Sequence, residues 1–184
     1  MAAVPDARNA VLEWLGLRSV EVRRVPAPPR VPARPGDRAL DLGAPTTLAA
    51  ARDRLRFRIL VPGQPAASPR VFVDDTPPGG RVSFLYDRPR LLLIEFRGSS
   101  TQTFLEKAVG PGTTIERVRV GGAPGAWIAG RPHGVVFADA RGVIRQDATR
   151  LAGNVLLWER DGLVLRLEGA RTREDALRVA RSVR

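Results

Sequence analysis

The sequence LAGNVLLWERDGLVLRLEGARTREDALRVARSVR, from Leu151 to Arg184, decides the fold class more than any other stretch of the chain. Its Asp161-Gly162 pair lies between two apolar runs. Asp-Gly is a favoured two-residue turn because both positions must tolerate a positive φ. The stretch therefore predicts a β-hairpin, and the turn fixes its register so that Trp158 faces Leu165.

The two faces of this hairpin differ in polarity. One face carries only apolar side chains, which are Leu156, Trp158, Leu163, Leu165 and Leu167. The opposite face carries Glu159, Arg166 and Glu168, and antiparallel sheets commonly leave such a face in water. We therefore expect a sheet that is covered on one side only.

A helix is expected directly after the hairpin. Thr172 can cap it, and Asp175 three residues later gives a weak capping box. Glu174 and Arg178 stand four residues apart, as in an ion pair on the exposed side of a helix. The apolar positions recur at helical spacing and are Ala176, Leu177, Ala180 and Val183. This apolar stripe is predicted to cover the apolar face of the hairpin.

Residues 40–150 alternate between strand-like runs and turn signals. Thr47 can cap a helix LAAARDRL, and Phe57–Val61 is apolar enough for a strand that ends at Pro62-Gly63. A second short helix is predicted in STQTFLEKAVG, residues 100–110. Strands are predicted in VFVDD, RVSFLY, LLLIEF, TTIERVRV, AWIAG, GVVFA and VIRQDATR, with LLLIEF central. The predicted class is α+β, an antiparallel meander sheet with short helices and a C-terminal helix packed on one face.

The first part of the chain is predicted to lie outside this globular domain. Residues 1–25 contain a predicted short helix, Ala7–Leu15, and an edge strand or extended arm, Ser19–Val25. Residues 26–39 contain five prolines and are predicted to be a polyproline-type linker. The globular domain is expected to span residues 40–184.

Composition excludes several kinds of chemistry. The chain has 184 residues, no cysteine and one histidine, so thiolate zinc sites and cysteine nucleophiles are excluded and histidine chemistry must use His133 alone. Asp74-Asp75 lacks the further oxygen ligands of a calcium loop and is interpreted as a strand end. Residues 98–101 lack the lysine of a phosphate loop and are interpreted as a helix cap. We therefore predict that the protein is not an enzyme and uses no cofactor or metal.

The net charge of +11 does not by itself indicate a nucleic-acid partner. Arginine supplies 29 of the 30 basic residues, and the arginines are spread along the chain. Aromatic residues, on which bases could stack, make up only 5% of the sequence. A generic basic surface explains the charge better, so nucleic acid is a disfavoured partner.

The sequence from Leu40 to Arg184 resembles an uncharacterised extracytoplasmic domain of membrane-anchored, anti-sigma-factor-like proteins from high-GC Gram-positive bacteria. The runs that carry the resemblance are LLLIEF, VGGAPGAWIAG, NVLLWERDGLVLRLEG and TREDALRVARSV. It implies a sensing or protein-interaction role on the outer face of the cytoplasmic membrane, and it implies no catalytic residue. In such relatives a transmembrane helix precedes a segment like PDARNAVLEWLGL, whereas this chain has no run of about 18 apolar residues and is expected to be soluble as given.

A candidate interaction surface lies in the N-terminal region. Its residues are Trp14, Arg18, Arg23, Arg24, Arg30 and Arg34. Trp14 is separated from the main domain by the prolines, so it either docks back on that domain or contacts another protein. In a membrane-anchored parent the arginines would lie near anionic headgroups. The expected partners are therefore an unknown protein, a second copy of this chain through the N-terminal arm, or an anionic membrane surface.

Two other functions are compatible with the sequence. A curved antiparallel sheet with helices could enclose an apolar cavity and carry a lipid or another small apolar ligand. The arginines could instead bind nucleic acid, with an affinity that falls as salt rises. The leading expectation is a non-enzymatic extracytoplasmic domain of a membrane-tethered regulator.

Overall fold

The structure of the protein is a computed structural model. It describes backbone and side chains for residues 40, 42–75, 79–97, 114–130 and 154–184, and backbone alone for residues 20–24, 105–109, 134–138 and 144–148. Several predicted features lie outside these ranges, namely the helix at 7–15, the linker at 26–39, the cap at 98–101, His133, Trp14, Arg18, Arg30 and Arg34.

The described part of the fold is rich in β-sheet. Its strands are β1 (Val20–Arg24), β2 (Ala44–Thr46), β3 (Arg70–Asp74), β4 (Arg81–Asp87), β5 (Arg90–Arg97), β6 (Leu105–Val109), β7 (Thr114–Val120), β8 (Ala123–Ala129), β9 (Gly134–Ala138), β10 (Ile144–Ala148), β11 (Val155–Arg160) and β12 (Leu163–Glu168). Its helices are α1 (Leu48–Arg54) and α2 (Arg173–Arg181). A large antiparallel sheet has the strand order β2-β3-β4-β5-β12-β11-β8-β7, and a smaller sheet has the order β1-β6-β9-β10.

The antiparallel sheet and the C-terminal helix are confirmed, whereas the simple meander is wrong. β5 pairs with β12, so the C-terminal hairpin lies in the middle of the large sheet. The smaller sheet contains a parallel pair, β1 with β6, and places β1 at its edge, which agrees with the edge strand, one of the two alternatives for residues 19–25. Two-residue turns fix only the strands that they join directly. Across longer connections, the choice of strand partner depends on packing that local sequence signals do not specify.

The C-terminal hairpin has the predicted register. Trp158 pairs with Leu165 across β11 and β12. The turn residues Asp161 and Gly162 have φ values of 53° and 76°, the positive values that this turn requires. Asp-Gly therefore specifies the hairpin locally, before any other contact is made.

One face of the large sheet, here called the helix face, packs against both helices. It carries Val82, Phe84, Leu93, Trp127, Trp158 and Leu165, which share one apolar cluster with Ala51 of α1 and Ala176, Val179 and Ala180 of α2. The C-terminal helix therefore covers the hairpin as predicted. Within the predicted stripe Leu177 is only half-buried, and Val179 takes the more buried place.

The opposite face of the large sheet, here called the second face, is buried as well. It carries Leu85, Ile94, Leu157, Val164, Arg166 and Glu168. Arg166 is 3% exposed and Glu168 is 0% exposed, and the two side chains form an ion pair. The prediction that this face lies in water is therefore wrong. A hairpin alone has two free sides, but β11 and β12 lie at the centre of a sheet whose two faces are covered.

Three local predictions are wrong: a helix, a strand and an ion pair. The helix predicted over residues 100–110 is wrong because β6 occupies Leu105–Val109, where strands β1 and β9 supply its backbone partners. The strand predicted at Phe57–Val61 is absent, and these residues cross the helix face as an irregular segment. Arg178 pairs at 2.5 Å with Asp175 rather than with Glu174, whose carboxylate bonds to Arg173.

The helix caps are the most accurate local predictions. The amide of Ala50 donates to Oγ1 of Thr47 at 3.2 Å, and the amide of Asp175 donates to Oγ1 of Thr172 at 3.1 Å. A separate side-chain hydrogen bond, from the Thr172 hydroxyl to the Asp175 carboxylate, and then the Arg178 guanidinium lower the pKa of the Asp175 carboxyl. Each cap satisfies a backbone N–H that has no partner within its own helix.

Gly125 makes room for Trp158 on the helix face, so Gly125→Ala is expected to destabilise the fold by about 1–3 kcal/mol. A Cβ at Gly125 would lie 2.7 Å from the carbonyl oxygen of Leu157 and 3.1 Å from Cβ of Trp158. Urea unfolding monitored by tryptophan fluorescence measures the change. As a control, Thr114→Ala at an exposed position of β7 should shift stability by no more than about 0.5 kcal/mol. Equal stability of the two variants would contradict the prediction.

Candidate functional site

A surface groove of about 580 Å³ lies at one end of the large sheet. It forms where the β7–β8 turn, the β11–β12 turn and the end of α2 meet. Its apolar lining consists of Val120, Ala123, Ala180 and Val183, and its charged lining consists of Glu159, Arg160, Asp161, Arg181 and Arg184. This volume is within the usual range for small-ligand sites.

Tight turns and one side-chain bond position the walls of the groove. Gly121 and Gly122 have φ values of 56° and 88°, which allow β7 to turn directly into β8. On the other side, the Arg160 guanidinium donates to the carbonyl oxygen of Val183 at 2.8 Å and lies 3.5 Å from the Asp161 carboxylate. Arg160 therefore lies beside the Asp161 carboxylate while its bond to Val183 holds the C-terminal residues in place.

Two other arginines of the groove differ from Arg160 in their ion pairing. Arg181 and Arg184 are exposed, and neither forms an ion pair with any residue in the described ranges. A guanidinium presents several N–H donors in one plane and binds carboxylates in a two-pronged geometry. The groove thus combines buried apolar surface with two guanidinium groups that are available to an anion.

A second unusual feature is a completely buried carboxyl group, Glu95, on the helix face of β5. Its neighbours across the sheet are apolar, Val82 on β4 and Leu165 on β12. Its Oε2 accepts a hydrogen bond from the amide of Leu60 at 3.0 Å, and within the described ranges its Oε1 has no hydrogen-bond partner. Burial raises the pKa of Glu95 to about 8, and the Leu60 bond offsets this only in part. Glu95 is therefore mostly a neutral acid at neutral pH.

Residues 55–63, here called the strap, connect Glu95 to the groove. The amide of Val61 donates to the carbonyl of Arg184 at 2.8 Å, and the amide of Arg184 donates back at 3.2 Å. The amide of Gly63 donates to the carbonyl of Ser182 at 3.0 Å. The strap is held to the helix face by its apolar side chains, which are Leu55, Phe57, Ile59 and Leu60. The strap thus pairs with the same C-terminal residues that line the groove.

Asp74 and Asp75, two adjacent carboxylates in the sequence, each contact an arginine. β3 ends at Asp74 as predicted. Asp74 lies 2.5 Å from the Arg81 guanidinium, and Asp75 bonds to Arg54. Among the residues that the structure describes, no group of three or more His, Cys, Asp or Glu side chains is placed to hold a metal ion.

Sequence reasoning placed the interaction surface elsewhere and did not identify the groove or Glu95. Of the predicted surface, only the backbone of Arg23 and Arg24 is described, and it pairs with Ala108 and Val109 of β6. The signal for Glu95 was present in LLLIEF. Strand alternation places Glu95 on the same side as Leu91 and Leu93, and a charged residue on an apolar side is informative.

Comparisons with known proteins add no relative: no family model, no curated protein and no solved structure matches the chain. Neither helix of the described ranges has the length and apolarity that crossing a bilayer demands. The groove and Glu95 are therefore the features on which a function can be based.

Proposed function

We propose that this chain is a non-enzymatic protein-interaction or sensing domain whose groove receives an acidic, partly apolar segment of a partner protein. The observation that carries the proposal is the position of Arg181 and Arg184 beside the buried apolar surface of Val120 and Val183. Alternating acidic and apolar side chains would satisfy both parts of this lining.

The charge balance of the groove supports an anionic occupant. Asp161 is engaged by Arg160, and Glu159 has an interaction of its own within the fold. Three guanidinium groups and two carboxylates line the groove, so its side chains carry a net charge of +1. Because Arg181 and Arg184 are exposed, their attraction for an acidic segment should weaken as salt rises.

The cellular location and the fold class are part of the same proposal. Placement on the outer face of the cytoplasmic membrane, in a membrane-tethered regulator, rests on the resemblance of the C-terminal stretch to domains of that kind. We also propose the α+β class, which is supported by the C-terminal helix packed on one face of a largely β structure. Binding of the acidic segment in the groove does not require the membrane.

Reversing the two groove charges is expected to weaken binding of an acidic peptide by at least about tenfold, which corresponds to about 1.4 kcal/mol. The probe is a short fluorescein-labelled peptide of alternating leucine and glutamate, followed by fluorescence anisotropy. The variant is Arg181→Glu with Arg184→Glu. The charge-matched control is Arg88→Glu with Arg90→Glu, at the exposed β4–β5 turn outside the groove.

The control variant should bind the acidic peptide nearly as well as the native chain, and a peptide with lysine in place of glutamate should not bind. Equal losses in both variants would show a general charge effect and overturn the proposal. Retention of a labelled fatty acid by the protein, with no peptide binding, would favour the small apolar ligand carrier. Salt-dependent binding of duplex DNA by both variants would favour the nucleic-acid alternative.

A further inference from the structure

We infer that the protonation state of Glu95 regulates the groove: the neutral carboxyl can stay buried beneath the strap, the strap holds the C-terminal wall, and ionisation of Glu95, which requires hydration of the carboxylate, releases both. This inference rests on the proposed function for its binding consequence. The structural part, release of the strap, can be tested without any ligand.

The connection between the carboxyl and the groove is short. Leu60, which donates to Glu95, is followed directly by Val61, which exchanges two hydrogen bonds with Arg184. Pro62 forms a β-bridge with Val183. Val183 and Arg184 both line the groove. A displacement of the strap at Leu60 therefore acts on an apolar wall and on one of the two available guanidinium groups.

Ionisation of Glu95 favours displacement of the strap rather than of the sheet. A charged carboxylate needs donors for both oxygens, and Oε1 has none among the residues that the structure describes. Water can reach it most readily from the strap side, because β4 and β12 are held beside β5 by continuous backbone ladders. The strap makes isolated backbone bonds instead. The Leu60 amide would form a stronger hydrogen bond with a charged carboxylate than with the neutral acid. That bond replaces only part of the hydration that a carboxylate has in water, so burial still raises the pKa of Glu95.

No nearby charge in the described structure stabilises the ionised form of Glu95. From β4 the facing titratable group is Tyr86, whose pKa burial raises to about 12, with a further contribution from Glu95. β12 presents only leucines on this face. The arginines of the strap, Arg56 and Arg58, are exposed, as is Arg97 of β5. The charged groups of α2 are exposed or half-buried, and the fully buried α2 residues are Ala176, Val179 and Ala180.

The test measures two properties of the full chain between about pH 7 and pH 9. Affinity for the leucine–glutamate peptide should fall roughly tenfold in the native protein, as the neutral form becomes a minor fraction. Amide hydrogen exchange at Val61, Gly63 and Arg184 should lose protection over the same range, after correction for the intrinsic rate. In Glu95→Gln both properties should stay nearly constant. Glu174→Gln, an exposed carboxyl on α2, should behave like the native chain.

The outcomes separate the two proposals. Loss of protection at these amides without peptide binding would overturn the proposed function and support the switch. Peptide binding with the same pH dependence in Glu95→Gln and the native chain would overturn the switch. If the glutamine variant does not fold, Glu95→Met replaces it and should show protection independent of pH. A pH-dependent loss in that variant would also contradict the inference.

Discussion

Replacing Glu95 with glutamine is expected to make folding stability nearly independent of pH between about pH 5 and pH 8. Over the same range the native chain is expected to lose stability as the pH rises. Burial raises the pKa of Glu95 from 4.5 to about 8, so the folded chain binds this proton more tightly than the unfolded chain. The stability that the neutral carboxyl contributes is complete below about pH 4.5. It is lost as the pH rises toward about 8, at roughly 1.4 kcal/mol per pH unit and on the order of 5 kcal/mol in all.

Urea unfolding at several pH values measures this dependence directly. The native chain should have its highest free energy of unfolding on the acidic side of the range, and the curve should level off above about pH 8. Glu174→Gln is the matched control, because hydrogen bonding lowers the pKa of that exposed carboxyl and its removal should leave the downward slope in place. A native chain with a flat profile would contradict the assignment of Glu95 as a buried neutral acid.

Replacing Arg166 with leucine is expected to destabilise the fold by about 3–5 kcal/mol. Arg166 and Glu168 form an ion pair on the second face, where both are almost fully buried. Removing the arginine leaves a buried carboxylate without this partner. Apolar side chains flank Arg166 directly, Ile94 on β5 and Leu157 on β11 in the same row of the sheet.

A double variant separates the lost ion pair from a simple packing defect. Arg166→Leu with Glu168→Leu should recover a large part of the stability that the single change removes, because no unneutralised charge then remains in the pair. Guanidinium unfolding of the native chain, Arg166→Leu, Glu168→Leu and the double variant supplies the comparison. A double variant that is as unstable as the sum of its single variants would show that the two side chains do not act as a pair.

The parts of the fold that the sequence predicts are those specified by neighbouring residues. Asp161-Gly162 sets the register of the hairpin because the turn itself demands positive φ. Thr47 and Thr172 cap their helices because the acceptor lies three residues from its donor. None of these features needs knowledge of a distant segment.

Three of the incorrect predictions depend on partners that are far away in sequence. Leu105–Val109 is a strand because β1 and β9 flank it, although a capping residue favoured a helix. Phe57–Val61 is apolar because it covers the helix face, and its amides bond to Glu95 and Arg184 rather than to a neighbouring strand. Arg166 was expected in water because its covering layer cannot be seen from the hairpin alone.

The candidate site was predictable only in part. Glu95 could be found from alternation within its own strand, since it shares a side with Leu91 and Leu93. The groove could not, because its lining joins two turns and a helix end that lie far apart in the sequence. Charge alone was no guide, since arginines are spread over the whole chain.

Residue-by-residue NMR mapping of the acidic peptide tests the groove most directly. Titration of the leucine–glutamate peptide into the isotopically labelled chain should shift the amides of residues 120–123, 159–161 and 180–184, with small changes elsewhere. The shifts should disappear in Arg181→Glu with Arg184→Glu. Shifts centred away from these residues, or shifts at these residues that persist in the double variant, would contradict the groove as the binding site.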